Sequence, residues 1–211
     1  MRYPPAHKHA TRRRIVDAAS LAFRERGVAE TGVDEVMRRA GLTHGGFYAH
    51  FRDKEELVAE ACAAAFEAAG PNLARIARGR TPAARARLLI DSYLSAHHRD
   101  NRGAGCLVVT VGADMTRLRG AARQGYSRGF AQHLDRLAAA LRLSSDAERN
   151  RARVTCLMSA LVGALLFARA VDDAAASDGI LHSMRRQLRA AFGAEPPARR
   201  LEPTHDFIRP V

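Results

Sequence analysis

Apolar residues between positions 33 and 51 recur with the spacing of two short helices. Four of them share one face of the first helix, at intervals of three or four residues: Val33, Val36, Met37 and Ala40. Gly41 follows where a left-handed C-cap is wanted. Phe47 and Phe51 are again four residues apart and predict the buried face of the second helix. Two short helices joined by a tight turn that contains glycine predict a helix-turn-helix motif.

The remaining side chains of the second helix fall on its other faces. Thr43 can cap this helix by accepting a hydrogen bond from its free backbone N–H groups. The Gly45-Gly46 pair costs about 1 kcal/mol per residue relative to alanine inside a helix. The pair has two interpretations. Either the missing side chains let the backbone approach a DNA groove, or the glycines reflect ordinary flexibility of an unbound head.

The rest of the chain predicts further helices and an all-α fold. A helix capped by Thr11 runs to Gly27, and Asp53 fits as the N-cap of a helix that links a small head to a larger body. Thr81 fits as the cap of a helix that begins with Pro82, Ser145 opens a capping box, and Ser177 caps the last helix. We therefore expect an N-terminal three-helix helix-turn-helix domain followed by a larger helical bundle.

Composition changes from segment to segment and predicts four parts. Residues 1–10 contain two adjacent prolines without periodicity and predict a flexible arm. Residues 11–60 form the predicted helix-turn-helix DNA-binding domain, and residues 61–193 the larger helical domain. Residues 194–211 are rich in proline and charge, which predicts a flexible tail.

The net charge of +12 favours an anionic partner. Residues 1–60 contribute only +2 of it, so the motif supports DNA binding more strongly than the charge does. No apolar run approaches the roughly 20 residues that cross a bilayer, and no secretory signal precedes the first helix, so a cytoplasmic location without a membrane partner is expected. The three cysteines are odd in number and widely spaced, which is typical of a reducing compartment.

The segment VDEVMRRAGLTHGGFYAHFRDKEEL resembles the N-terminal domain of the tetracycline-repressor (TetR-type) family of transcriptional regulators. The resemblance rests on the AG-Leu-Thr turn, the Gly-x-Phe-Tyr-x-His-Phe helix and the Asp-Lys-Glu-x-Leu start of the next helix. It covers residues 11–60. The resemblance implies a homodimer that binds a palindromic DNA operator and is released by a small-molecule effector.

The resemblance and the chemistry of the side chains together predict the DNA-binding residues. Hydroxyl, ring N–H and ammonium groups are expected to hold phosphate from Thr31, Thr43, Tyr48, His50 and Lys54. Thr31 is included because the family's usual Thr or Ser is replaced here by Gly32. Three residues are expected to face the bases: His44, Gly45 and Gly46.

The resemblance implies that residues 61–193 are an effector-binding and dimerisation domain, which supplies the dimer interface and an effector cavity. Residues 147–171 include a stretch that is apolar all round, and residues 147–171 and 178–192 match the family's paired dimer helices. A buried core helix of a monomer is the alternative. Bulky or adaptable side chains that could line the cavity are Phe66, Tyr93, Met115, Phe130, Met158 and Phe167.

Cys106 joins this set because it precedes a predicted helix, where a thiolate is stabilised. It is either an oxidant or electrophile sensor or, as free cysteines usually are, a small apolar residue. Cys62 and Cys156 lie in apolar helical runs and predict core positions.

We expect a DNA-binding transcriptional regulator that acts as a repressor and needs neither a cofactor nor a metal. His97, His98 and Cys106 lack the spacing of metal ligands. An enzyme on a helical scaffold is a competing class, but the sequence contains no phosphate-binding glycine loop and no HExxH motif. An architectural DNA-binding protein without effector control is the other alternative, and sequence preference distinguishes it.

Overall fold

The computed structural model describes residues 5–193, and every regular element in that range is helical. In chain order these are α1 Pro5–Arg26, α2 Val33–Arg39, a 3-10 helix His44–Ala49, α3 Lys54–Glu67, α4 Gly70–Ala77, α5 Pro82–Tyr93, α6 Ala96–Asp100, a 3-10 turn Arg102–Ala104, α7 Leu107–Arg117, α8 Gly120–Leu141, α9 Ala147–Ala170 and α10 Ala174–Gly193. The all-α prediction is confirmed. The predicted tail, residues 194–211, lies outside the described residues, as do residues 1–4 of the predicted arm.

Two apolar clusters form the core. The first joins α1, α2, the 3-10 helix and α3, and it also takes in Leu107, Val111 and Met115 of α7. The second lies among α4, α5, α8, α9 and α10. The head is therefore not a closed unit, because a helix of the body completes its core.

Several turn and cap predictions are confirmed. Gly41 has a φ of +68°, the left-handed conformation expected after α2. Asp53 accepts a hydrogen bond from the backbone N–H of Glu56 at 2.8 Å. Thr81, just before Pro82, accepts one from Ala84 N–H at 3.1 Å.

Three predicted helix starts are wrong. The first helix begins at Pro5, so residues 5–10 are helical rather than an arm, and Thr11 lies buried inside the helix. The N-cap of α9 is Asp146, which accepts from Arg149 N–H at 2.7 Å, rather than Ser145. In α10 the carboxylate of Asp173 accepts from the first N–H groups, and Ser177 lies one turn inside, donating to Ala168 O. At both later sites a carboxylate next to the helix accepts the N–H bonds in place of the serine.

One described helix, Ala147–Ala170, is long and apolar enough to cross a membrane by length and composition, with a mean hydropathy of 1.5 over its apolar window. The expectation that no apolar run approaches this length was wrong for this helix. It packs within the bundle against α7, α8 and α10, and 39% of its most apolar 18-residue stretch is buried there.

Candidate DNA-binding surface and ligand cavity

The 3-10 helix His44–Ala49 is fixed to the head by two phenylalanines. Phe47 and Phe51 are 1% and 2% exposed, and their rings stack at 5.5 Å. Tyr48, between them in sequence, is 68% exposed, and its ring meets Phe47 edge-on at 5.3 Å. The buried rings of Phe47 and Phe51 therefore anchor the 3-10 helix and leave Tyr48 facing solvent.

His44 also lies on this exposed surface, and a carboxylate of α2 orients it. Its Nδ1 forms a hydrogen bond with Oδ1 of Asp34. That bond uses one ring nitrogen and leaves Nε2 for another partner. Sequence analysis did not single out Asp34; its position in the first turn of α2, ten residues before His44, was the only available signal.

The two glycines of the motif differ in their surroundings. A Cβ on Gly45 would meet nothing within 4 Å, whereas one on Gly46 would lie 3.5 Å from Met37 Cε. Gly45 therefore exposes its backbone, and Gly46 packs towards α2. A base-facing role remains a prediction for Gly45 and is not supported by the orientation of Gly46.

Thr43 occupies the N-cap position of the 3-10 helix, but its side chain accepts no hydrogen bond there, so the predicted side-chain cap is wrong. Its carbonyl accepts from Gly46 N–H at 3.1 Å instead. The Thr43 side chain is exposed beside His44. His50 is half-buried, and its Nδ1 has no hydrogen-bond partner in the part of the chain that the structure describes. Burial, with added repulsion from Lys8, Arg12 and His7, lowers the pKa of His50.

Thr31 cannot serve as the predicted phosphate contact. Its side chain is fully buried, and its hydroxyl donates to Gly27 O at 2.6 Å. The hydroxyl closes the turn between α1 and α2, so the sequence-based assignment is wrong because the side chain points inwards.

Lys54 is likewise directed inwards, contrary to the predicted phosphate contact. Its Nζ donates to Val28 O at 2.7 Å, and burial lowers its pKa. Asp114 of α7 holds the same turn from the other side, since its Oδ2 accepts from Val28 N–H at 2.7 Å. We call Val28 with these two side chains the turn clamp.

Arg12 joins α1 to α3 through two carboxylates. Its guanidinium bonds Glu56 at 2.8 Å, also pairs with Glu60, and lies 4.0 Å from the centroid of the Phe51 ring. The Arg52 backbone N–H and the Arg12 guanidinium together lower the pKa of Glu56 to about 2. Arg12 is thus engaged inside the head, whereas the side chain of Arg52 is 81% exposed next to the motif. Sequence analysis missed Arg52 as a DNA-contact candidate.

A cavity of about 480 Å³ lies in the body, a volume typical of small-molecule sites. Four predicted residues line it: Phe66, Tyr93, Cys106 and Met158. Three predicted residues do not. Met115 is part of the head core, Phe130 packs against the rings of Phe66 and Tyr126, and Phe167 is 63% exposed on α9. Helical spacing marks apolar positions but cannot tell core from cavity wall or outer surface.

One wall of the cavity is fixed by His98. Its Nδ1 donates to Tyr93 O at 2.7 Å, and its Nε2 accepts from Cys106 N–H at 3.0 Å, so the ring is neutral and caps α7. Burial lowers the pKa of His98, consistent with that form. Cys106 is half-buried in this wall, and its backbone N–H is already engaged.

Three residues that line the cavity each have a buried polar atom without a hydrogen-bond partner among the described residues: Arg24 (Nε), Tyr93 (Oη) and His133 (Nδ1). Tyr93 and His133 are each 8% exposed. Burial lowers the pKa of His133 to about 4, so its ring is neutral at pH 7. Within residues 5–193, no group of three or more His, Cys, Asp or Glu side chains is placed to hold a metal ion.

The outer face of α9 exposes apolar and small residues. Leu166, Phe167 and Val171 are 47%, 63% and 39% exposed, and a Cβ on Gly163 would meet nothing within 4 Å. Cys156 is exposed on this helix, so its predicted core position is wrong, whereas Cys62 is fully buried and burial raises its pKa to about 12.

The comparison with known protein families matches residues 15–61 to the bacterial regulatory proteins of the tetR family. The regulator AcrR of Shigella flexneri is 42% identical over 50 residues, and TtgR of Pseudomonas putida is 48% identical over 48 residues. These matches cover 24% and 23% of this chain and 23% of each relative. The chain therefore matches less than a quarter of the length of these curated relatives, in the segment that contains the helix-turn-helix.

Solved structures show the same fold over most of the chain. A tetR-family regulator from Cytophaga hutchinsonii aligns with a TM-score of 0.70 at 18% identity, covering 90% of this chain and 98% of the other. The structure of AibR in complex with isovaleryl coenzyme A and operator DNA aligns with a TM-score of 0.60 at 17% identity, covering 87% and 98%. The order of a small head and a larger helical body is therefore shared beyond the segment of sequence similarity.

Proposed function

We propose that this chain, whose N-terminal domain belongs to the tetR family of bacterial regulatory proteins, is a homodimeric transcriptional repressor. It binds a palindromic DNA operator and leaves it when a small molecule occupies the body. The observation that carries this proposal is the exposed surface of the 3-10 helix His44–Ala49, held on the buried rings of Phe47 and Phe51.

The exposed surface supports a division of roles at the DNA. The hydroxyls of Thr43 and Tyr48 and the free ring edge of His50 contact phosphate and fix the register of the head. His44, oriented by Asp34, and the open backbone at Gly45 face the base edges. Few long polar side chains reach the bases, so the shape of the DNA contributes to specificity.

The outer face of α9 supports the homodimer. Residues 147–171 and 178–192 would pair with the same helices of a second copy, and Phe167 and Leu166 would lose their exposure there. Removing exposed apolar surface of this kind from water stabilises the dimer by about 25 cal/mol per Å² buried. Two heads related by a two-fold axis then meet successive major grooves about 34–36 Å apart.

The cavity supports release by a small molecule. AibR, which shares the fold, was solved with both an acyl coenzyme A and operator DNA, so one protein of this architecture binds both kinds of ligand. Occupancy of the body here would change the tilt or separation of the heads, with a coupling energy of about 1–3 kcal/mol.

Protection mapping on DNA from the flanking genome tests the proposal directly. We expect a palindromic footprint that one candidate effector removes. A footprint that no compound alters would favour an architectural DNA-binding protein, and specific binding less than about 10³-fold above non-specific binding at physiological salt would do the same. No footprint on any fragment would contradict the DNA-binding function and reopen the case for an enzyme.

A further inference from the structure

The chemistry of the cavity wall limits the ligands that fit. None of the described residues that line it carries a carboxylate, whereas Arg24, Arg75, His97, His98 and His133 do line it. A cationic ligand entering this cavity would lose its hydration without gaining a counter-charge, which is costly. The wall therefore disfavours cations and suits neutral or anionic molecules.

Among the arginines that line the cavity, Arg24 is the half-buried one, and Arg75 is exposed. The described residues include no ion pair or hydrogen bond for the guanidinium of Arg24, and its Nε is buried and unpaired. The neighbouring carboxylate of Glu25 is engaged by Arg39 at 2.6 Å. Burial lowers the pKa of Arg24, and the nearby charge of Glu25 opposes this only in part. A bound anion would therefore supply the counter-charge that the guanidinium lacks.

Two neutral donors belong to residues that line the same cavity. The residues Tyr93 and His133 are more than nine-tenths buried, and Tyr93 Oη and His133 Nδ1 have no hydrogen-bond partner within residues 5–193. Apolar side chains fill much of the remaining wall, among them Phe66, Leu137 and Met158. Unsatisfied polar groups at an otherwise apolar surface cost stability unless a ligand or water pairs with them.

We propose that the cavity takes an apolar organic monoanion, a carboxylate or sulfonate, whose charged end is held by Arg24. Tyr93 and His133 donate hydrogen bonds to the ligand, and its apolar body lies against Phe66 and Met158. This inference rests on the proposed function, since it assigns the effector class of the same site.

The position of Arg24 also shows how a ligand in the cavity could act on the DNA-binding head. Arg24 lies in the last turn of α1, a helix of the head, whereas Tyr93 and His133 belong to α5 and α8 of the body. The bound anion thus bridges head and body directly. The anion would pull on α1 three residues before Gly27, where the turn held by the turn clamp begins.

Two related fluorescent probes test the charge preference without DNA. 8-Anilinonaphthalene-1-sulfonate is an anion, and N-phenyl-1-naphthylamine has the same rings without the sulfonate. For the full chain we expect one saturable site per chain that binds the sulfonate more tightly than the amine. We expect Arg24→Gln to weaken the sulfonate by about tenfold or more and to leave the amine unchanged. Arg87→Gln, which removes an exposed cation of α5 that does not line the cavity, is the matched control and should leave both affinities unchanged.

Equal binding of the two probes, or equal loss of both in Arg24→Gln, overturns the proposal. Arg24→Lys keeps the charge and should keep the preference for the sulfonate, which covers the case in which the glutamine variant does not fold. Footprinting separates this inference from the proposed function. A palindromic footprint with no Arg24-dependent anion site contradicts the inference alone, whereas a missing footprint contradicts the proposed function.

Discussion

At the scale of single residues, the two most exposed large hydrophobic side chains of the described range mark its two candidate contact surfaces. Tyr48 and Phe167 are 68% and 63% exposed, while the other aromatic rings of the head are buried. An exposed ring costs free energy that burying it would recover. Tyr48 lies on the 3-10 helix, and Phe167 lies on α9, so DNA and a second copy are the partners that we assign to them.

Tyr48→Phe tests the phosphate role of the hydroxyl. Because a phosphate contact carries no sequence information, we expect binding to weaken by about threefold to tenfold on every operator variant alike. Mobility-shift titrations over a series of single base-pair changes measure this. His44→Ala is the contrasting variant and should alter preference at one base position. A loss in Tyr48→Phe that is confined to one base pair would contradict the assignment.

Cys106→Ser separates a wall residue from a thiol sensor. The thiol lies in the cavity wall at the start of α7, half-buried, and its backbone N–H is held by His98. We expect peroxide or a quinone to release the operator from the variant and the wild type equally, as for a structural cysteine. Release of the wild type alone would instead establish Cys106 as the sensor.

At the scale of elements, α1 and α3 are joined by a charge cluster as well as by their apolar faces. Glu56 of α3 accepts from Arg12 of α1 and from the backbone N–H of Arg52. The carboxylate is therefore favoured in the folded head, and the pKa of Glu56 falls from 4.5 to about 2. A carboxyl whose pKa is lower in the folded protein than in the unfolded chain contributes its full stabilisation above the unfolded pKa. This contribution is lost as the pH falls through the folded pKa.

The pH dependence of unfolding tests this cluster. Between pH 4.5 and about 2 the wild type should lose stability as Glu56 takes up a proton. Glu56→Gln should be less stable at pH 7 and should lose less stability across that window, as measured by urea unfolding. Glu67→Gln, an exposed position on the same helix, is the control and should keep the wild-type slope. Identical slopes for all three proteins would exclude the role of Glu56.

Close approach of α3 and α8 connects the head to the body. A Cβ on Gly125 would lie 2.8 Å from Ala59 Cβ and 3.0 Å from its Cα, closer than side-chain packing permits. We expect Gly125→Ala to separate the helices and to lower the free energy of unfolding by about 1–3 kcal/mol. Gly70→Ala, where a Cβ would meet nothing within 4 Å, serves as the control in the same urea titrations. A stabilised Gly125→Ala would show that the contact is not tight.

The same elements show how far sequence alone reaches. Asp53, Thr81 and Gly41 were predicted correctly because caps and left-handed turns depend on neighbouring residues. Thr31 and Lys54 were misassigned because packing against other elements turned their side chains inwards. Arg24 and His133 were not predicted to line the cavity, because a polar or charged residue in a helix is expected to face solvent. Only the tertiary fold shows that these two are buried.

At the scale of the whole molecule, one face of the body is left uncovered by the rest of residues 5–193. The stripe along α9 includes Gly163, Leu166 and Phe167, and its exposure contrasts with the buried residues Leu161 and Leu165 on the opposite side. A membrane would also cover such a helix by composition, but the buried side of α9 packs into the bundle. A second copy of the chain covers the stripe without disturbing that packing.

Phe167→Glu tests the dimer. A charge placed in a covered apolar interface is costly, so we expect the variant to sediment as a monomer and to lose the palindromic footprint. Leu88→Glu is the matched control, because Leu88 is an exposed apolar residue of α5 that lies away from the stripe. A dimeric Phe167→Glu with an intact footprint would place the interface elsewhere.

The turn clamp has a consequence for exchanging parts between relatives. Val28 receives a hydrogen bond from α3 at its carbonyl, and its N–H is held by Asp114, which lies 86 residues further along the chain in the body. Residues 1–60 transplanted onto a foreign body would keep Lys54 but lose this acceptor, leaving a peptide N–H without its partner. Chimeras that swap heads to redirect operator choice therefore need α7 to travel with the head, or an aspartate placed at the matching position of the host.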